Sequence, residues 1–367
     1  MGQREVAGRR ASFVGIGVAC VAVALSAAAA RLARPLAYEV SGVSMAPGLL
    51  PGDAVATGVF PLVDALRPPR RFDRWVLAAP DGTGAVKRIV GLPRETVSIV
   101  GGDLVIDGRA TLPPPRVLAE RATAIAVEDG DRDDGIAAAA DASADRARAG
   151  GWRRTFAVAA VDDAAFAPQE RRVLLPVRDV GLSAVVRIAR GAGPVDVRIR
   201  VDGLAVRWRF AAAGRRACVA GRLDGHVVGV TWPLADTAAA GDASRSGFPP
   251  HAPSAWDVVR AVVPDPAVGV ATDPAAEPAA TLLAIAIDGV PAGVVGDGGP
   301  VVVESLGAWR DVHYRPAADG REAWTLGADE FFLLGDFPSG SRDSRHWGPL
   351  PRASFLHRVA AVAVRGE

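Results

Sequence analysis

Ser44 sits in VSGVSMAPGLLPGD, residues 40–53, a turn flanked by glycine and proline that follows a strand-like run and lifts a hydroxyl clear of it. A serine hydroxyl attacks a carbonyl when a neighbouring base takes its proton. A turn serine that only caps its own backbone is the commoner occupant of such a sequence, and GVSMA lacks the second glycine of a G-x-S-x-G elbow. The base must carry a free lone pair near neutral pH. Of the 42 basic residues only Lys87 is a lysine, and it lies in the apolar run GAVKRIVGLPRETV, residues 84–97. Desolvation in such a run brings an amine down to roughly 7–8, where it can accept a proton. Arginine stays charged throughout. A single lysine also survives by drift in an arginine-biased chain, so the residue alone leaves both readings open. A third segment, FFLLGDFPSGSRDSRHWGPLP, residues 331–351, gathers Asp336, Ser341, Asp343, Ser344 and Arg345 at the end of an apolar run. It suits either a self-bonded surface loop or a partly buried network that braces a site.

Other chemistries find less support. His226, His251, His313, His346 and His357 are scattered, with no HExxH or Cys/His ligand spacing, so neither a metal nor a cofactor is expected. A Ser/His/Asp arrangement through His346 and Asp343 is the weaker alternative. Forty-two basic against 41 acidic residues leave a net charge of +1, which provides no field to gather nucleic acid. Two cysteines, Cys20 and Cys218, are too few for a disulfide framework.

The elements that must position the three segments are strands. Val, Ile, Leu and Trp alternate with charges, and Gly or Pro marks the breaks, which predicts a mainly β body. Expected front strands are Tyr38–Val43, Ala54–Val59, Arg74–Ala78, Val86–Gly91, Thr96–Val100 and Leu104–Ile106, with Asp107-Gly108 as a hairpin turn. From Ala11 to Ala30 the chain is uncharged, and a stretch of about 20 residues suffices to cross a bilayer. Arg4, Arg9 and Arg10 precede it and Arg31 and Arg34 follow, a balance that mildly favours a cytoplasmic amino terminus and an exported body. The small-residue run SAAAA leaves a cleaved signal peptide as the alternative. From about Arg116 to Glu304 the texture changes. A linker rich in Asp, Ala and Arg leads into the hairpin VDVRIRV-DG-LAVRWRF, whose Val195, Val197, Ile199 and Val201 share one face. We therefore expect a segment 1–34 with a transmembrane anchor, one β domain in two parts, 35–115 and 306–367, and an inserted β-sandwich-like domain with linkers over 116–305.

Together the three segments resemble the type I signal peptidase family. Val40, Gly42, Ser44, Met45, Pro47 and Leu49 fit its nucleophile box, with Gly48 where threonine is usual. VKRIVGLP fits its lysine box, and Gly335, Asp336, Ser341, Asp343, Ser344, Arg345, Trp347 and Gly348 fit its last box, with Phe337 where asparagine is usual. The resemblance implies a signal-peptidase-like β catalytic domain in which Ser44 is the nucleophile and Lys87 the general base. It implies that Ser341 orients the amine and that Asp343 and Arg345 brace the loop. With Gly42 two residues before the nucleophile, the oxyanion hole rests on the Ser44 N–H, and Met45 and Asp336 support the site. The implied partners are preproteins with signal peptides and membrane lipid, and the implied place is the inner cell membrane, single-pass, with the body on the extracytoplasmic side. No partner for the insert is implied. Two other readings stay open: a membrane-tethered binding protein on an inactive peptidase scaffold, and a self-cleaving serine–lysine autoprotease.

Overall fold

The computed structural model describes residues 36–58, 67–125, 152–158, 161–162, 174–175, 179–201, 204–223, 226–235, 249, 252–253, 263–264, 281–288, 295 and 299–363. The anchor expected over residues 11–30 lies outside them. Among the described residues no helix is long and apolar enough to cross a membrane.

Apolar runs form strands near the expected places, except that the first, expected over Tyr38–Val43, spans only Ala37–Glu39 and gives way to the turn that carries Ser44. β1 (Ala37–Glu39), β2 (Ala54–Thr57), β3 (Arg74–Ala78) and β4 (Gly84–Gly91) lead the chain, followed by β5 (Thr96–Val100), β6 (Asp103–Ile106) and β7 (Arg109–Ala110). Asp107 and Gly108 both take positive φ, 49° and 75°, as a two-residue hairpin turn between β6 and β7 requires. A helix, α1 (Pro115–Arg121), then interrupts the strands. No helix was expected in this stretch. Its signal is the proline at the first helical position, followed by Leu118, Ala119, Glu120 and Arg121, all good helix formers.

After α1 come β8 (Thr123–Ile125), β9 (Trp152–Val158), the short pair β10 (Val161–Asp162) and β11 (Leu174–Leu175), β12 (Val180–Ile188), β13 (Val195–Val201), β14 (Leu204–Phe210), β15 (Gly214–Leu223), β16 (His226–Leu234), β17 (Val263–Pro264), β18 (Thr281–Asp288) and β19 (Val301–Arg310). They make two five-stranded antiparallel sheets, β16-β15-β12-β19-β8 and β17-β14-β13-β18-β9. Val195, Val197, Ile199 and Val201 of the expected hairpin are fully buried and share one core with Leu182, Ala184, Val186, Cys218 and Ala220 of the facing sheet. Each such side chain contributes about 1.5–3 kcal/mol by leaving water. β19 pairs with β12 along its whole length, from Val301 to Arg310.

The chain closes with β20 (Ala323–Thr325), β21 (Glu330–Leu334), a four-residue helix α2 (Ser344–Trp347), β22 (Leu350–Pro351) and β23 (Phe355–Ala363). A seven-stranded antiparallel sheet, β1-β2-β23-β3-β4-β21-β22, thus joins strands from both ends of the chain. A smaller sheet, β20-β5-β6-β7, packs Val97, Ile99 and Leu104 against Trp324, Phe332 and Leu334. This joining brings the three polar segments together.

Candidate active site

The turn that carries Ser44 is pinned at its neck and wedged at its tip. Val40 N–H donates to Asp53 O and Gly52 N–H to Val40 O, both at 2.8 Å, while Ala46 N–H donates to Val43 O and Leu49 N–H to Met45 O, both at 2.9 Å. Met45 and Leu49 sink into a cluster with Val40, Val55, Val76 and Val359, which leaves the intervening backbone no freedom to roll. Ser44 stays half-buried above them. Gly42 is exposed, and a Cβ added there would meet nothing within 4 Å.

Lys87 lies in β4 opposite Trp75 of β3, in a strand whose second half is buried on both faces. Its amine reaches the Ser44 hydroxyl, with Nζ 2.6 Å from Oγ. Burial lowers the amine to about 8 by penalising the ammonium. Asp343 and Asp336 pull it up, and Arg345 pushes it further down. With only 3% of Lys87 exposed, the burial cost is real and the neutral amine is within reach at physiological pH.

The loop after β21 is organised around the carboxylate of Asp343, which is completely buried. Its Oδ2 accepts from Ser341 Oγ at 2.8 Å, from Gly335 N–H at 3.0 Å and from Arg345 Nη2 at 2.9 Å, while Oδ1 accepts from Arg345 Nε at 2.9 Å. Arg345 Nη2 also donates to Pro338 O at 3.0 Å. The bracing pair of Asp343 and Arg345 is therefore present, two-pronged and buried. The Ser341 hydroxyl donates to Asp343, and among the described residues no hydrogen bond joins it to Lys87. His346 caps α2, with Asp343 N–H donating to its Nδ1 at 3.4 Å, and it takes no part in a Ser44 contact.

Two further links tie this loop to the Ser44 turn. Phe337 N–H donates to Ser44 O at 3.0 Å, so the backbone makes a contact at this position while the ring packs inward against Gly340. Gly335 comes so close that a Cβ there would overlap both Ser44 O and the Ser341 side chain. Asp336 turns the other way. Its two oxygens accept from Arg88 Nε at 2.8 Å and Nη2 at 2.6 Å, a bidentate pair with no side-chain exposure on Arg88. Arg88 Nη1 donates in addition to Phe72 O and Glu120 Oε2, both at 2.9 Å. Sequence reasoning did not single out Arg88 or Glu120. For Arg88 the available signal was a second charge inside the apolar run beside Lys87, and for Glu120 there was none.

The structure thus gathers Ser44, Lys87, Ser341, Asp343, Arg345 and Asp336 into one region, with Met45 beneath as packing and Gly42 at the open rim. Among the described residues no group of three or more His, Cys, Asp or Glu side chains is placed to hold a metal ion. Residues 13–142 match the family model described as signal peptidase, peptidase S26. The chain carries a peptidase S26 signal peptidase domain. The matched stretch of the S26 domain holds Ser44 and Lys87 and ends before the loop with Asp336, Ser341, Asp343 and Arg345. S26 is a family of serine peptidases, and the matched domain implies in broad terms substrates that bear signal peptides. No curated protein matches the chain.

Proposed function

We propose that the chain is a membrane-bound serine endopeptidase that removes signal peptides from exported preproteins, with Ser44 as nucleophile and Lys87 as general base. The observation that carries this reading is the 2.6 Å separation of Lys87 Nζ from Ser44 Oγ, inside an environment that lowers the amine to about 8.

The neutral amine accepts the Ser44 proton as Oγ attacks the scissile carbonyl. The oxyanion that forms takes the Ser44 N–H, for which the described residues provide no acceptor. Lys87 then passes its proton to the leaving amine, and the acyl group remains on Oγ. A water that gives its proton to the same lysine hydrolyses the ester and frees the enzyme. Asp343, held by Arg345 and Ser341, fixes the loop whose Phe337 N–H grips the Ser44 carbonyl. The apolar stretch at residues 11–30 anchors the chain in the inner membrane and keeps the body on the extracytoplasmic side, near the signal peptides it cuts. The Ser44–Lys87 contact weighs against a tethered binding protein on an inactive scaffold.

Lys87→Arg tests the assignment of the base. Arginine fits the charge and much of the volume but cannot shed its proton, so preprotein cleavage disappears while thermal unfolding stays cooperative. Turnover at the unmutated rate in that variant rules the scheme out.

A further inference from the structure

Gly48 departs from the threonine usual in the nucleophile box, and the structure supplies a reason. A Cβ at position 48 would overlap the backbone carbonyl oxygen of Glu120 and lie 3.1 Å from its carbon. Gly48 is not among the residues with positive φ, so space rather than conformation demands glycine. The obstacle is the last turn of α1, and a helical backbone carbonyl cannot swing aside as a side chain can.

The same helix reaches the strand of the base. Glu120 Oε2 accepts from Arg88 Nη1 at 2.9 Å and lies 3.5 Å from Arg74 Nε, and Arg88 directly follows Lys87. On its far side α1 packs on the sheet β16-β15-β12-β19-β8, where Leu118 and Ala122 are fully buried with Val185, Val219, Trp232 and Trp309. Arg121 Nη2 donates to Asp311 Oδ2 at 2.6 Å, both buried, which ties the end of the helix to the end of β19.

We infer that α1 is a positioning element through which the inserted sheets hold the Ser44 turn against the Lys87 strand, with the Gly48–Glu120 backbone contact as the point of transmission. This rests on the Ser44–Lys87 reading above. The insert is therefore part of the catalytic architecture and not a separable appendage. Any side chain at position 48 displaces the turn or the helix, and a misplacement of about 1 Å at reacting groups costs on the order of 100-fold in rate.

Two variants of the full-length chain test this, Gly48→Ala at the contact and Leu118→Ala on the insert side of the helix, remote from Ser44. Each is expected to lower kcat for a preprotein, on the order of 100-fold for Gly48→Ala, while KM changes less than about threefold and Ser44→Ala marks the zero. Amide hydrogen exchange, which needs no turnover, is expected to quicken over both 43–49 and 115–121 in each variant, because the two segments brace one another. Should the unmutated chain fail to cleave, the peptidase reading falls, and the exchange result still decides the coupling. Exchange that quickens in only one of the two segments, or a Gly48→Ala enzyme that cleaves at the unmutated kcat, overturns the inference.

Discussion

In the proposed mechanism Lys87 must lose its proton before it can accept one from Ser44, and burial brings the amine to about 8 from an ordinary 10.5. At pH 7 about one-tenth of the free enzyme then holds a neutral amine, and at pH 9 about nine-tenths does. The profile of kcat/KM follows the ionisation of the free enzyme. Cleavage of a preprotein at limiting substrate should therefore rise about tenfold between pH 7 and pH 9, with its midpoint at about 8. A discontinuous assay of the mature product, with buffers of matched ionic strength and an unfolding control at each pH, reads this directly. A profile that is flat across this range, or one that keeps rising to a midpoint near the ordinary lysine value, would refute the claim that desolvation of Lys87 sets the activity.

The same displacement links stability to pH. Between about 8 and 10.5 the unfolded chain holds a proton that the folded chain has released, so stability rises with pH across this window by about 1.4 kcal/mol per unit, about 3 kcal/mol in all. Lys87→Met removes this slope, and the difference between denaturant midpoints of the two proteins at pH 7.5 and pH 10.5 measures it; parallel curves would mean that the amine keeps its ordinary affinity for protons. Asp336→Ala leaves Arg88 buried with only Glu120 and the Phe72 carbonyl as partners, which should cost about 3–5 kcal/mol of unfolding free energy. A loss below about 1 kcal/mol in urea titration would show that the pair contributes little.

β5 was legible because it is half-buried and alternates, and the hairpin of β13 and β14 pairs Val201 with Leu204 on either side of the Asp-Gly pair, as its pattern predicts, whereas β3 and β4, with consecutive buried residues, were legible as short apolar runs. Lys87 stood out as the candidate base because an amine stands alone among arginines in an apolar run. What each polar group touches was not. Arg88 and Asp336 are 248 positions apart, and nothing local announces that they meet. Nor does the spacing of Ser341 from Asp343 announce that the Ser341 hydroxyl donates to that buried carboxylate. Gly48 read as a mere departure from the usual threonine, since its cause is a helix that packs on it from 72 residues later in the chain.

The most direct measurement is cleavage of a signal-peptide-bearing preprotein by the detergent-solubilised full-length chain beside its Ser44→Ala variant, with the amino terminus of the product read by mass spectrometry. A peptidase built on Ser44 yields one mature amino terminus, formed by a cut after a small residue, and the variant yields none. Equal cleavage by both proteins, or an intact preprotein after prolonged incubation with the unmutated chain across several such substrates, contradicts it.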